Sequence, residues 1–432
     1  MTPPDEPKRI AATPRGLLSL VSRRRGRDQP APPVAPSASG AALGQDRVWF
    51  AHAIRGPACL IVVSVHLGHL FWTEQPTAAA IGHFPAVAVG DPAPWPGLYS
   101  TLTGAQINIG SMALCLFFLV SGFVVPYALE RGTLGSFFVR RFFRLYPTLW
   151  ACLLLNLGAL ALQARLLGDA FPFGPKDVAG NAFLLSPYLR MPWIEPVLWS
   201  LAVEELFYVL AALAAWRNLL ARRSVVLGLA VGLTAASLAG AHVELGGVLF
   251  WLAFNSTFVV LVLLGVVFHQ IHRGRWGKAD GAGILLAVLA CFEVSLYWGA
   301  TEGVANAYGV AGAAALGVFA ALYWARDRLP EWRVLEWLGD ITYPLYMVHA
   351  LNGYIILRVV WLATGSYYLA IAAAFSAALA MAALVHHFVD RPTNDFGRRL
   401  AKRMRTRAAA ARPLPSPLDT VVTAPTPVGP AE

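Results

Sequence analysis

The sequence contains little charge and little cysteine. Only 13% of its 432 residues are charged, about half the fraction of a typical soluble domain, whereas 57% are hydrophobic. The four cysteines lie far apart inside apolar runs, so neither a disulfide framework nor a metal site with regular ligand spacing is predicted. This composition excludes a soluble domain, and we interpret the cysteines as packing residues.

Apolar runs long enough to cross a bilayer, which takes about 20 helical residues, recur along the chain. We therefore predict an all-α polytopic membrane protein with about ten transmembrane helices, within one transmembrane domain at residues 47–395. The predicted helices lie at 50–73, 107–129, 145–165, 197–216, 223–241, 248–271, 281–299, 304–325, 338–357 and 366–389.

The distribution of basic residues predicts the orientation of these helices. The loops at 130–144, 217–223, 272–280 and 326–334 hold thirteen Lys and Arg residues, and the intervening loops hold four. The positive-inside rule then puts both termini in the cytoplasm. The net charge of +10 therefore indicates topology, and no nucleic-acid partner is predicted.

The two ends of the chain differ in composition from the domain between them. Residues 1–46 are rich in Pro, Ala, Ser and Arg, which predicts a disordered, basic cytoplasmic tail. Residues 396–432 are predicted to form a basic and then disordered tail, whose basic part suits an anionic inner-leaflet surface. The bilayer is thus one expected partner, and the cell inner (plasma) membrane is the expected location.

Ionisable residues within the predicted helices are candidates for function, because an unpaired charge inside a bilayer is costly. Arg55 and His66 are eleven residues apart, which puts both on one helix face, about 16 Å apart along the axis. A neutral histidine suits a general base, and an arginine nearer the cytoplasm suits an anion such as a phosphate. A structural histidine and a snorkelling arginine would explain the same pair.

Other spans carry similar candidates. Glu204 and Tyr208 share a face of the fourth helix, and Glu204 is expected at about the depth of His66, where it would orient the imidazole or bind a hydroxyl. His349 in the ninth helix and Ser121 in the second are further polar groups. For each of them a purely structural role remains an alternative.

A basic cluster occurs at residues 140–147, "RRFFRLYP", at the predicted cytoplasmic start of the third helix. Arg140, Arg141 and Arg144 are either ordinary topology signals or a docking site for a phosphorylated cytosolic donor.

Six patterns in this order make the sequence resemble the membrane-bound acyltransferase family 3 over about residues 47–395. They are Arg55 with His66, "FFLVSGF" at 117–123, "RRFFRLYP" at 140–147, "WSLAVEELFY" at 199–208, "LGDITYPLYMVH" at 338–349 and "DRP" at 390–392. Two positions depart from the family pattern. His52 stands where members often have Asp, and Cys115 stands where they often have an acidic residue.

The resemblance implies an integral-membrane O-acyltransferase that moves an acyl group, most often acetyl from acetyl-CoA, to a hydroxyl. The expected acceptor is a cell-surface polysaccharide, a lipid-linked sugar or a glycoside. No further domain is predicted after the spans, so a stand-alone transferase is expected.

The resemblance also implies roles for the residues in these patterns. His66 is the expected general base, and Glu204 is expected to orient it. The residues expected to bind acyl-CoA are Arg55, Arg140, Arg141 and Arg144. The residues expected to bind the substrate are Ser121, Tyr208, His349 and Trp199.

Two other functions remain open at this point. The first is acylation of a small secreted metabolite such as a macrolide. The second is of a different class, a polytopic transporter with an intramembrane His/Glu/Arg relay, although the internal repeats common in transporters are not visible in the sequence.

Overall fold

A computed structural model describes residues 49–90, 107–215, 217–243 and 247–410. The predicted N-terminal tail and the C-terminal residues 411–432 lie outside these ranges.

Ten helices of the described chain are long and apolar enough to cross a membrane, which confirms the predicted all-α polytopic class. We number them α1 to α10: Trp49–Thr73, Ile109–Glu130, Leu134–Leu167, Pro196–Ala215, Arg223–His242, Gly247–His272, Lys278–Trp298, Ala305–Trp324, Arg333–Thr364 and Tyr367–Arg407. Two short helices, Gln75–Gly82 and Pro175–Ala182, lie between spans. Within the described ranges there is no strand.

Three helices extend well past their predicted bounds. α3 has 34 residues, α9 has 32 and α10 has 41, against about 20 needed to cross the hydrocarbon. The basic residues of 140–147 therefore lie on a helix and not in a loop. Likewise the predicted tail boundary at residue 395 falls inside a helix that continues to Ala410.

The far part of α10 packs along the start of α3. The ring of Phe396 lies 5.0 Å from that of Phe143, and Gly397 lies against the same Phe143 side chain. Arg141 and Arg144 on α3 are therefore at the same end of the bundle as Arg398 on α10. We call this end the basic end and the opposite end the distal end.

The centre of the bundle is α6, which packs against α2, α5 and α7. At its crossing with α2, Gly265 faces the backbone of Leu119, and Gly122 faces the backbone of Val262. A Cβ at either glycine would collide with a carbonyl oxygen of the other helix. The glycine of the "FFLVSGF" pattern thus allows two helix backbones to approach closely.

Two of the spans contain a five-residue π-helical turn. One is His66–Leu70 in α1 and the other is His386–Asp390 in α10. A π turn places one extra residue in the helix, which changes the direction of the side chains, and such turns are frequent at functional sites. Both turns begin at a histidine.

The close crossing of α2 and α6 predicts a sharp difference between two glycine substitutions. Gly265→Ala should lower the free energy of unfolding by about 1–3 kcal/mol, because the backbone of α2 has no space to retreat. Gly158→Ala, on α3, should leave it unchanged or slightly higher, since nothing lies within 4 Å of the new methyl group. Thermal unfolding in detergent measures both, and equal unfolding temperatures for the two variants would contradict the tight crossing.

Candidate active site

A cavity of about 760 Å³ lies among α1, α2, α3, α4, α9 and α10. Arg391 and Arg398 line it at the basic end, and Ser200 and Tyr346 line it deeper in the bundle. Its size is within the usual range for a ligand site.

The arginines of this cavity are largely without protein partners. Five of them line it: Arg55, Arg141, Arg144, Arg391 and Arg398. Arg55, Arg144 and Arg391 form no hydrogen bond or ion pair with the residues that the structure describes. Arg55 is also close enough to Arg144 and Arg141 for their charges to repel, and Glu204 nearby offsets part of this repulsion. An anion between them would relieve this repulsion.

The carboxylates of the cavity, in contrast, are held by neighbouring side chains. Asp390 accepts hydrogen bonds from Thr148 at 3.2 Å and Asn394 at 3.0 Å, and it lies 2.8 Å from Nδ1 of His386. Asp340 lies 3.6 Å from His52. The cationic groups are therefore the ones left available to a ligand.

Arg141 is held in place by aromatic rings. Its guanidinium lies 4.6 Å from the centre of the Tyr208 ring and 5.3 Å from that of Phe137, and it donates to the Tyr208 hydroxyl at 3.3 Å. These contacts fix its direction toward the cavity, which it lines together with Arg144.

Arg140 differs from its two neighbours and does not line the cavity. Its guanidinium donates to the carbonyl oxygens of Ser136 at 3.2 Å and Ala128 at 2.7 Å. Arg140 shares a helix face with Arg144, four residues further on, but its guanidinium turns back to the end of α2 and does not enter the cavity. Its position therefore argues against the predicted role in coenzyme binding and indicates that it caps the end of α2.

Glu204 lies nearer the basic end than predicted. Its Oε1 accepts hydrogen bonds from Ser121, at 3.0 Å, and from the Tyr208 hydroxyl. Ser200, one turn earlier in α4, is 3.1 Å from the hydroxyl of Tyr346. Because Tyr346 itself lies one turn before His349, Glu204 is at the level of Arg55. The predicted contact between Glu204 and His66 is thus not formed.

The segment that precedes α4 explains why Glu204 lies nearer the basic end than predicted. Ile194 and Glu195 are almost fully buried, at 0% and 1% exposure. The loop therefore enters the bundle before the helix begins, so α4 starts below the distal surface. The apolar pattern of the helix alone does not reveal this offset.

The hydrogen-bond partner of His66 is His349. Nδ1 of His66 lies 2.6 Å from Nε2 of His349, and the two rings stack with centroids 4.9 Å apart. Nδ1 of His349 lies 2.9 Å from the carbonyl oxygen of Tyr346. A carbonyl oxygen only accepts, so this nitrogen carries the proton and Nε2 of His349 accepts from Nδ1–H of His66.

This arrangement leaves Nε2 of His66 able to accept a proton. In the neutral pair, Nε2 of His66 has a lone pair that no described residue uses. His66 is partly exposed, whereas His349 is completely buried. His349 was predicted to bind substrate, but its position is that of a residue that orients His66.

The segment of α9 around His349 is held by buried polar groups from other elements. Asn156 of α3 donates to the carbonyl oxygen of Met347 at 3.2 Å. Glu195 accepts from the backbone N–H of Leu351 at 3.2 Å. Neither Asn156 nor Glu195 was among the predicted site residues, although each is a polar residue with apolar neighbours in the sequence.

Two further predicted ligand residues serve other purposes. Trp199 packs in the core, with its ring 4.8 Å from that of Phe258, and does not line the cavity. Tyr208 also does not line it and instead connects Glu204 to Arg141. Ser121 does line the cavity, and its hydroxyl donates to Glu204.

Fold and cavity together define a multi-pass membrane protein with a basic ligand cavity and a separate histidine pair. A family model described as an acyltransferase domain, that of acyltransferase family 3, matches residues 48–386. The chain belongs to this family and is a membrane acyltransferase. No curated protein and no solved structure matches it.

Glu195, which lies just outside the span of α4, predicts a pH-dependent stability. Burial raises the pKa of its carboxyl from an ordinary value near 4.5 to about 8, although the N–H groups of Leu351 and Val197 oppose the shift. Between these values the folded protein holds a proton that the unfolded chain has lost. Stability from this group therefore falls as pH rises, by up to about 1.4 kcal/mol per unit.

The variant Glu195→Gln isolates this contribution, because its amide stays neutral and its oxygen can still accept from Leu351. Unfolding temperatures in detergent should diverge between the two proteins from about pH 5 to about pH 8, with the wild type losing more. Parallel curves would show that Glu195 does not titrate in this way.

Proposed function

We propose that this protein transfers an acyl group, most simply acetyl, from acyl-CoA to a hydroxyl of a cell-surface polysaccharide, lipid-linked sugar or glycoside. The family match supports the acyltransferase class. The observation that carries the proposal is the separation, along one helix, of an unpaired arginine and a histidine with a free nitrogen.

The length of coenzyme A fits this separation. From its diphosphate to its sulfur, the pantetheine arm spans about thirteen bonds, as many as about four extended peptide residues, or roughly 15 Å. Arg55 and His66 are about 16 Å apart along α1. A diphosphate bound between Arg55 and Arg144 would therefore bring the thioester to the level of His66.

The charge distribution supports the direction of approach. The positive-inside rule assigns the basic end to the cytoplasm of a cell inner membrane, where acyl-CoA is available. The acceptor then approaches His66 from the distal end. The donor would reach His66 only from the basic end, and the acceptor would reach it only from the distal end.

The hydrogen bond between Ser200 and Tyr346 closes the deep end of the cavity. Tyr346 lines the cavity, but His66 and His349 do not. We infer that the thioester arm displaces this hydrogen bond as it passes Tyr346. The reacting carbon is thereby separated from the water of the basic end until a donor is bound.

In the proposed reaction, Nε2 of His66 takes the proton of the acceptor hydroxyl as the oxygen attacks the thioester carbon. The C–O bond forms, the C–S bond breaks, and the sulfur leaves with its electron pair. The proton then passes from the imidazolium to the coenzyme thiolate. His349 keeps the correct nitrogen of His66 facing the acceptor, and such general-base assistance is worth about 10²–10⁴ in rate.

Membranes that contain the protein should incorporate radiolabelled acetyl from acetyl-CoA into polysaccharide, lipid or small-molecule fractions. His66→Ala should reduce this incorporation by at least about 100-fold, because the general base is lost. The matched control is His387→Ala, since His387 is exposed on α10 and outside the cavity. The labelled fraction distinguishes a carbohydrate acceptor from a small metabolite, and His66-independent label would contradict the mechanism.

His349 offers a second test, because its proposed role depends on one acceptor nitrogen. His349→Leu should lower the rate by about tenfold or more, since Nδ1–H of His66 loses its partner. His349→Gln should retain more activity, because an amide oxygen can accept the same hydrogen bond. Unfolding temperatures measured on both variants separate this effect from loss of fold. Equal activities for the two variants would exclude the orienting role.

A further inference from the structure

The end of α10 forms one wall of the cavity at its mouth. Arg391, Asn394, Asp395 and Arg398 all line the cavity. Their spacing of three, four and seven residues puts them on a single helix face. Arg391 and Arg398 are about 10 Å apart along this face.

The two arginines of this face are only weakly engaged by the protein. Arg391 has no hydrogen bond or ion pair among the described residues. Arg398 lies 3.4 Å from Asp395, but both side chains are exposed, at 64% and 45%, so the pair is weak. Asn394 is turned toward Asp390. The face therefore presents two guanidinium groups and one carboxylate to the cavity, with a net positive charge.

Other basic residues of the same helix point elsewhere. Arg399, Lys402 and Arg403 are exposed and do not line the cavity. Arg391 and Arg398 are exposed as well, but they line the mouth of the cavity, which a purely topological signal would not require. Their direction indicates a ligand inside the cavity and not a lipid headgroup outside it.

The position of the donor determines which part of it would reach this wall. The inference that follows rests on the proposed acyl-CoA donor. With the diphosphate at Arg55 and Arg144 and the thioester near His66, the ribose with its 3′-phosphate lies on the other side of the diphosphate, toward the mouth. A phosphate there carries up to two negative charges and matches guanidinium donors well.

We propose that Arg391 and Arg398 bind the 3′-phosphate of coenzyme A. They are specificity-determining residues, which make the protein select the complete coenzyme over donors that end in a bare diphosphate or in pantetheine. The part of α10 that follows residue 386, outside the matched family region at residues 48–386, thereby becomes part of the donor site.

The experiment measures binding and does not depend on the acceptor. Wild type purified in detergent is titrated with CoA and with dephospho-CoA by calorimetry. CoA should bind about 10- to 100-fold more tightly, as expected for charge-assisted hydrogen bonds to one phosphate. In the double variant Arg391→Gln/Arg398→Gln, CoA affinity should fall to that of dephospho-CoA, whose own affinity should change little.

Arg399→Gln is the matched control, because it removes one positive charge from the outward face of the same helix. It should bind CoA and dephospho-CoA as the wild type does. Since all three arginines are exposed, the variants should keep the wild-type unfolding temperature.

The outcomes separate the two proposals. No binding of CoA to wild type would overturn the proposed donor. Binding of CoA and dephospho-CoA with equal affinity would leave the donor intact and overturn the role of α10. An equal loss of CoA affinity in Arg399→Gln and in the double variant would show that the loss depends only on the net positive charge of the helix. That result would also overturn the role of Arg391 and Arg398.

Discussion

One backbone carbonyl, that of Tyr346, determines which nitrogen of His66 is free to take a proton. It holds the proton of His349 on Nδ1, so that Nε2 of His349 must accept from His66. These two hydrogen bonds form only if the segment of α9 around His349 stays in place. Asn156 on α3 and Glu195 before α4 hold this segment by hydrogen bonds to its backbone. The imidazole of His66 in α1 is thus oriented by groups from across the bundle.

The cavity divides its charges into two kinds. Glu204 and Asp390 accept hydrogen bonds from hydroxyl and amide groups of the protein, whereas Arg55 and Arg144 form no hydrogen bond or ion pair with a described residue and repel each other, which Glu204 offsets only in part. Two unpaired guanidinium groups at close range destabilise the empty site, since each raises the electrostatic energy of the other. The same repulsion becomes a source of affinity when an anion enters. The site is therefore organised for a ligand and not for the stability of the empty protein.

The length of apolar runs was sufficient to predict all ten spans, because crossing a bilayer imposes a minimum length. It was not sufficient at the start of α3, where Arg144 bounds the apolar run but the helix itself begins earlier, at Leu134. The depth of Glu204 depends on the buried loop before α4, and the pairing of His66 with His349 joins positions 283 residues apart. Short patterns identify such residues, but only the packing of the helices decides which of them meet.

The mouth of the cavity is built from α10, the tenth of the spans that the structure describes. The hydroxyl of Thr148 on α3 donates to Asp390 on α10, so this hydrogen bond forms only once α10 is in place. Arg391, which lines the mouth, follows directly after Asp390. A ribosome releases helices in chain order, so the first nine can assemble while this wall is still missing. The nascent protein then has an open cleft where the finished one has a cavity, so the site is completed only after the other nine spans have been made.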